Sequence, residues 1–279
     1  MKPIRRLAFV VNADKDGAPD LAQELIAQAR TCGIAVKRTG LFPIPRGFLR
    51  GCDACCVIGG DGTLLAVAPE AARLKVPLIG VNRGGLGFLT TLSADEARSH
   101  FLEILGGRYQ VEHRATLDCS LGRKKIRIAL NDVLVKDAVN SKLIRLDVYA
   151  NGELVTGYTC DGLVFSTPTG STAYNLSAGG PLIHPSAAVI AMTPICPHTL
   201  SNRAIIFRDD VTLRVFNRSD AVRILVSIDG QVATTTASTS PVTIARSKLT
   251  VPLVQRLGHS HFAVVRAKLR WSGGFADKK

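Results

Sequence analysis

The residues best placed to do chemistry are Gly59-Gly60-Asp61-Gly62-Thr63, because two segments of different character flank them. Before them runs Cys55-Cys56-Val57-Ile58, a short apolar run of the kind that forms a buried parallel strand. After them, Thr63-Leu64-Leu65-Ala66-Val67-Ala68 reads as the start of a helix that Thr63 is able to cap. A strand that ends in glycines and leads into a helix N-terminus suits an anionic ligand. The glycines allow close backbone approach, and N–H groups at the turn point toward phosphate oxygens. Asp61 is the odd member, since a carboxylate belongs in a phosphate cradle only to handle a proton or a metal ion. The combination points to phosphoryl transfer, against the plainer alternative of a structural glycine turn. The chain has neither GxxxxGK[ST] nor a complete GxGxxG, which disfavours a Walker-type ATPase and a simple dehydrogenase.

Two further stretches carry polar groups in unusual places. In Leu130-Asn131-Asp132-Val133 an amide and a carboxylate interrupt an apolar run. Asn is suited to reading a base edge and Asp to accepting ribose hydroxyls, while a turn or β-bulge is the alternative. The second stretch, from Asp161 to Asn175, gathers Ser166, Thr167, Thr169, Gly170, Ser171, Thr172, Ala173 and Tyr174, and Ser177-Ala178-Gly179-Gly180-Pro181 follows it. Such a segment can hydrogen-bond a sugar-phosphate and stack a base, or be simply a loop.

The elements that must position these groups change character along the chain. In the first third, strand and helix alternate. Leu7 to Val11 reads as a strand. Leu21, Leu25 and Ala29 recur at helical spacing between Pro19 and Gly33, and Ala35 to Lys37 reads as a second strand. Pro77 to Asn82 forms another buried strand ending in Asn82-Arg83-Gly84-Gly85-Leu86-Gly87, so two strands with glycine-rich carboxyl ends would make a two-sided crevice. Pro69 should kink the helix after the turn or divide it in two. From about Arg108 the runs are short and strand-like: 127–135, 143–150, 154–158, 163–166, 211–216 and 222–228, with turns at Asn151-Gly152 and Asp229-Gly230. The expected organisation is an α/β lobe over 1–107, completed by 255–279, and an all-β lobe over 108–254. The run from Phe262 to Trp271 would return to the first lobe, with His259 and His261 alternating on a strand.

The 279 residues suffice for two modest domains, and a net charge of +13 favours anionic partners. The basic residues are scattered and aromatics are 5%, so nothing marks a nucleic-acid reader. No apolar stretch reaches the ~20 residues of a membrane span, which gives the expectation of a soluble, cytoplasmic protein with no membrane partner. Seven cysteines without a secreted framework default to reduced thiols. Cys52-Asp53-Ala54-Cys55 matches CxxC but lacks two further clustered ligands, so no protein-held metal site is expected.

Taken together, the segments 59–63, 82–89, 131–132, 161–181, 197–203 and 229–231 make the chain resemble the NAD kinases over most of its length. The resemblance implies a Rossmann-like N-terminal lobe and a C-terminal β-sandwich lobe, with NAD and ATP as substrates and a homodimer or homotetramer as the assembly. The implied reaction moves the terminal phosphate of ATP, or of polyphosphate, to the 2′-hydroxyl of the adenosine ribose of NAD, making NADP. It implies Asp61 as the catalytic group that accepts or orients that hydroxyl proton. Gly59, Gly60, Gly62 and Thr63 would hold donor phosphates, with Mg²⁺ accompanying ATP. Asn131 and Asp132 would bind the adenosine end of NAD. Tyr174 would stack on a ring beside Thr172 and Ala173, while Asp161 and Ser177 would lie near the nicotinamide. The family usually has Asn-Glu where this chain has Asn131-Asp132, a reach shorter by one methylene. 6-Phosphofructokinases and lipid kinases share the glycine-rich turn but lack anything similar to 161–181. A non-catalytic nucleotide sensor could dispense with Asp61.

Overall fold

The computed structural model describes residues 2–84, 87–122, 124–139, 143–199, 202–219, 222–236 and 240–271. Gly85 and Leu86 of the glycine-rich motif, and Leu200 and Ser201 of the 197–203 segment, lie outside the described residues. Two compact units divide the chain, Met1–His113 with Val251–Lys279, and Arg114–Thr250.

The first unit alternates as its apolar spacing requires: β1 (Arg6–Val11), α1 (Ala18–Thr31), β2 (Ala35–Thr39), β3 (Ala54–Gly59), α2 (Asp61–Leu74), β4 (Leu78–Asn82) and α3 (Ala94–Leu105). The strands pair in parallel in the order β2-β1-β3-β4. β1, β3 and β4 are buried along nearly their whole length, which is why they read as continuous apolar runs. Leu21, Leu25 and Ala29 put one face of α1 into the core, with Asp20 in its first turn and Arg30 in its last. Ser93 and Glu96 close a reciprocal capping box at the start of α3, with bonds of 3.1 and 2.9 Å. Strand order reverses between β1 and β3, so the crevice such a sheet offers a ligand lies at their carboxyl ends.

The helix after the glycine turn departs from expectation in two ways. It begins at Asp61, two residues before Thr63, with Gly60 as N-cap. Thr63 sits at the third helical position and reaches back, its Oγ1 accepting the Gly60 N–H at 3.4 Å. A glycine has no side chain to cap with, and the threonine one turn on supplies the oxygen. Pro69 neither ends nor divides α2, which runs unbroken to Leu74 and closes on Lys75 in the left-handed region. The proline removes only the N–H that would have bonded to the Leu65 carbonyl.

The second unit is antiparallel. Its strands are β5 (Gln110–Leu121), which starts in the first unit, β6 (Lys124–Ala129), β7 (Asp132–Asp137), β8 (Ile144–Ala150), β9 (Glu153–Cys160), β10 (Gly162–Ser166), β11 (Val189–Ile195), β12 (Ile205–Arg208), β13 (Thr212–Asn217), β14 (Ile224–Ile228), β15 (Val232–Thr236) and β16 (Val242–Gln255). One sheet has the order β12-β11-β10-β7-β14-β15; in the other, β16-β13-β8-β9 pair in sequence and β5 joins β16 to β6. Val133, Phe165, Met192 and Val226 from the first sheet share one core with Leu146, Val148, Leu213 and Ile244 from the second, the packing of a β-sandwich. Asn151-Gly152 and Asp229-Gly230 both have positive φ (51° and 94°, 51° and 65°), the conformation of the tight hairpin turns their sequences announce.

The last residues of β16 return to the first unit, where Leu253 pairs with Leu78 of β4 in parallel. The segment beyond forms a helix, α5 (His261–Leu269), where alternation had suggested a strand. Ser260 caps it through the Ala263 N–H at 3.3 Å, so His261 opens a helix and His259 precedes it. No helix among the described residues is long and apolar enough to cross a membrane.

Candidate active site

In the first unit, the residues expected to act on phosphate collect at the carboxyl ends of β1, β3 and β4. Gly59 ends β3 and Gly60 follows with φ −121° and ψ −175°. Asn12, just beyond β1, donates its amide to Thr63 Oγ1 at 3.2 Å and so ties the end of β1 to the first turn of α2. A side chain on Gly59 would run into Thr63, which explains the glycine. Gly62 is exposed in the first turn of α2, and Thr63 is buried beneath it.

Asp61 is held from one side by the loop after β4. Its Oδ2 accepts the Phe88 N–H at 2.9 Å. Its Oδ1 accepts three donors: the N–H groups of Leu89 and Thr90, at 3.2 and 2.9 Å, and the Thr90 hydroxyl at 2.8 Å. Thr90 is fully buried and receives the Asn82 side-chain amide at 2.7 Å, so a chain of bonds runs Asn82–Thr90–Asp61. A side chain on Gly87 would strike both Asp61 and Thr90. The carboxylate is therefore fixed in orientation. Of its acceptor directions, the free capacity lies on Oδ2, which takes one bond where Oδ1 takes three.

The second unit brings Asn131 and Asp132 together with the Ser166–Thr172 stretch. β6 ends at Ala129 and β7 begins at Asp132, so Asn131 stands in the break between them. Its carbonyl accepts the Thr167 N–H at 2.9 Å, and Thr167 Oγ1 donates to the Leu130 carbonyl at 2.6 Å. Asp132 pairs with Ser166 across the sheet. Gly170 approaches Asn131 so closely that any side chain would overlap its carbonyl. The side chains of Asn131 and Asp132 themselves make no hydrogen bond among the described residues, although both are more than nine-tenths buried. Burial first, and then the charge of Asp229, push the Asp132 carboxyl up to about 7.

The hydroxyl-rich stretch divides its labour. Thr169–Thr172 form a turn of 3-10 helix and Tyr174–Ser177 a single α-turn, α4. Asn175 is fully buried and braces the turn, bonding to the carbonyls of Ser171 and Pro181 at 3.3 and 3.1 Å and accepting the Thr193 hydroxyl at 2.7 Å. Ser171 is likewise buried and spends its hydroxyl on Pro168 and Ile183. Thr172 and Ala173 are half-buried, whereas Tyr174 and Ser177 are exposed. Asp161 is exposed too, at the opposite end of β10 from Ser166. Five residue steps along the strand, from Asp161 to Ser166, place it roughly 17 Å from the Asp132 end.

Sequence reasoning gave no role to Asn12 or Thr90, and noted Asp229 only as part of the 229–231 turn. Asn12 had a signal, a polar residue closing an apolar strand; Thr90 had none. Cys55 and Cys56 are buried in β3, where burial pushes both thiols well up, away from the thiolate a metal would need.

Residues 44–109 match the ATP-NAD kinase N-terminal domain and residues 130–256 the ATP-NAD kinase C-terminal domain. An NAD kinase of Azotobacter vinelandii is 41% identical over 79% of this chain and 76% of its own length. One of Solibacter usitatus is 36% identical over 97% of this chain and 99% of its own length. The chain belongs to the NAD kinase family. Solved structures agree on the fold. Yeast NADH kinase complexed with NADH superposes with a TM-score of 0.85 at 23% identity, covering all of this chain and 90% of its own. An Archaeoglobus fulgidus NAD kinase in complex with ATP gives 0.79 at 24% identity, over 94% of this chain and 99% of its own. Family membership makes the chain a phosphotransferase acting on NAD; the glycine-rich turn lies within the matched N-terminal domain, and the Asn131 break and the 161–181 stretch within the matched C-terminal domain.

Proposed function

We propose that the chain transfers the terminal phosphate of ATP to the 2′-hydroxyl of the adenosine ribose of NAD, making NADP. The observation that carries this is kinship with NAD kinases across 97% of the chain. The geometry supplies the roles. Gly59, Gly60, Gly62 and Thr63, at the strand-order reversal and the start of α2, receive the donor phosphates. Asp61, immobilised by four bonds, turns the remaining capacity of Oδ2 toward the 2′-hydroxyl, whose proton it orients or accepts. Asn131 and Asp132, buried and with no side-chain hydrogen bond among the described residues, contact the adenosine end of NAD. Thr172, Ala173 and the exposed Tyr174 line the ring, and Asp161 and Ser177 serve the nicotinamide end.

Among the described residues no group of three His, Cys, Asp or Glu is placed to hold a metal. In this reading the divalent cation is a Mg²⁺ carried on the phosphates of ATP. Such an ion neutralises phosphate charge when bound, which a lysine does in P-loop enzymes. A homodimer or homotetramer and a cytoplasmic location belong to the same reading, and sedimentation of the purified chain reads the first directly. The test of function is NADP formation by purified protein with Mg²⁺, NAD and either ATP or polyphosphate. Production with ATP supports the proposal, and production with polyphosphate alone would reassign the donor. No NADP with either donor, from folded protein, refutes it.

A further inference from the structure

The Asp229 carboxylate has no part in the roles above, yet it grips the segment that carries two of them. Its Oδ2 accepts the Leu130 N–H at 2.8 Å, and its Oδ1 accepts those of Asn131 and Asp132 at 2.7 and 3.0 Å. Its own N–H returns to the Asp132 carbonyl at 3.0 Å. Three successive N–H groups converging on one anion form a backbone nest, filled here by a side chain from the β14–β15 turn. The turn is tight, with Asp229 and Gly230 both in the left-handed region and the Gln231 N–H bonded to the Ile228 carbonyl at 3.0 Å.

These bonds are not needed to register the sheet. β7 is already paired with β10 from Asp132 onward and with β14 from Val133 onward. What the carboxylate determines is the path of the chain between β6 and β7. Gly170 presses on the other side of the same peptide, where no side chain fits. The Asn131 N–H and carbonyl are thus both spent within the protein, while its side chain and that of Asp132 are left for a ligand.

We propose that Asp229 is a positioning residue for NAD: by holding the backbone of Leu130, Asn131 and Asp132, it sets the direction in which Asn131 and Asp132 meet the dinucleotide. It acts through that backbone without touching substrate. The inference rests on the reading of Asn131 and Asp132 as NAD contacts.

The test is steady-state kinetics on Asp229→Asn, Asp229→Glu and Asn131→Ala, with NAD varied at saturating ATP and ATP varied at saturating NAD. Asp229→Asn keeps the size but turns an acceptor oxygen into a donor that faces an N–H. Its KM for NAD should rise about 10- to 100-fold, the factor expected when one or two well-placed ligand hydrogen bonds are lost. Its kcat and KM for ATP should stay within about threefold of wild type. Asp229→Glu keeps the charge but cannot set both oxygens on the same three N–H groups, so it should shift KM for NAD in the same direction by less. An unchanged KM for NAD in Asp229→Asn, while Asn131→Ala raises it, overturns the inference and leaves the NAD reading standing. A fall in kcat with both KM values unchanged reports a smaller folded fraction, hence a merely structural Asp229, and overturns it as well. If Asn131→Ala leaves KM for NAD untouched, the NAD reading fails and takes the inference with it. Should Asp229→Asn not fold, Asp229→Glu decides by the same criterion.

Discussion

Replacing Asp61 by Asn separates two jobs that the structure gives to one side chain. The carboxylate braces the loop after β4 through four bonds, and it offers Oδ2 to the substrate hydroxyl. An asparagine of the same shape would put its carbonyl where Oδ1 receives Leu89 and Thr90, because three donors meet there. Its amide nitrogen then faces the Phe88 N–H, which loses its acceptor. One unsatisfied N–H costs about 1–3 kcal/mol, which in a chain of this size lowers Tm by roughly 2–12 °C. Loss of the acceptor for the hydroxyl proton should cost about 10²–10⁴-fold in kcat, or roughly 3–5 kcal/mol of barrier. The rate loss thus exceeds anything the bracing loss explains. Thr90→Val is the control, since it removes the hydroxyl that links Asn82 to Asp61 and leaves the carboxylate in place. Measuring kcat, NAD and ATP affinity and Tm on one preparation of each variant separates the jobs. Chemistry at Asp61 requires a collapse of kcat in Asp61→Asn alone, with NAD affinity nearly kept. Near-wild-type kcat in Asp61→Asn removes it from the mechanism. An equal collapse in Thr90→Val shows that Asp61 acts only by shaping the loop.

Three further outcomes are expected. Asn131→Ala should weaken NAD binding by about 1–3 kcal/mol and leave ATP binding alone, and equal losses for both in isothermal titration would make Asn131 structural. Asp132 titrates near 7 when folded against an ordinary 3.8, so the unfolded chain releases its proton first. Stability should then fall as pH rises from about 4 to 7, by at most ~4 kcal/mol, and Asp132→Asn should flatten that slope in denaturant titrations across the range. Gly170→Ala should push the Asn131 peptide aside, at a cost of about 1–3 kcal/mol or more. It should lower Tm and raise KM for NAD, and a variant with both unchanged would show that the approach at Gly170 does not matter.

What the sequence made legible is what short-range pattern encodes. β1, α1, β2, β3 and β4 follow from apolar runs and helical spacing, and the two hairpin turns from Asn-Gly and Asp-Gly. α3 went unread, although Ser93 and Glu96 form its capping box and Ala97, Phe101, Ile104 and Leu105 recur at helical spacing. The C-terminal helix was hidden by two adjacent β-branched residues, Val264 and Val265, its only buried positions, so no stripe at helical spacing betrays it. β11 and β16 contain Pro194 and Pro252, which local rules place outside a central strand.

The site shows the same boundary between local and distant information. The Gly59–Thr63 turn is legible because its function lies in its own backbone, and residue types there state the geometry. The break at Asn131 is legible only in part: two polar residues interrupt the 127–135 run and allow a turn or bulge, but the carboxylate that holds the break, Asp229, lies about a hundred residues on. Asp61 likewise owes its orientation to the N–H groups of Phe88, Leu89 and Thr90, and of these residues only Thr90 adds a side-chain donor. In both places a carboxylate collects backbone N–H groups from a distant loop, three of them in each case. Backbone donors carry no residue identity, so such anchors are invisible to any reading by residue type. Donors such as Phe88 and Leu130 also tolerate a change of side chain, whereas the accepting carboxylate has no substitute. Substitutions at Phe88 or Leu130 should therefore be mild wherever the backbone path survives, and those at Asp61 and Asp229 should not.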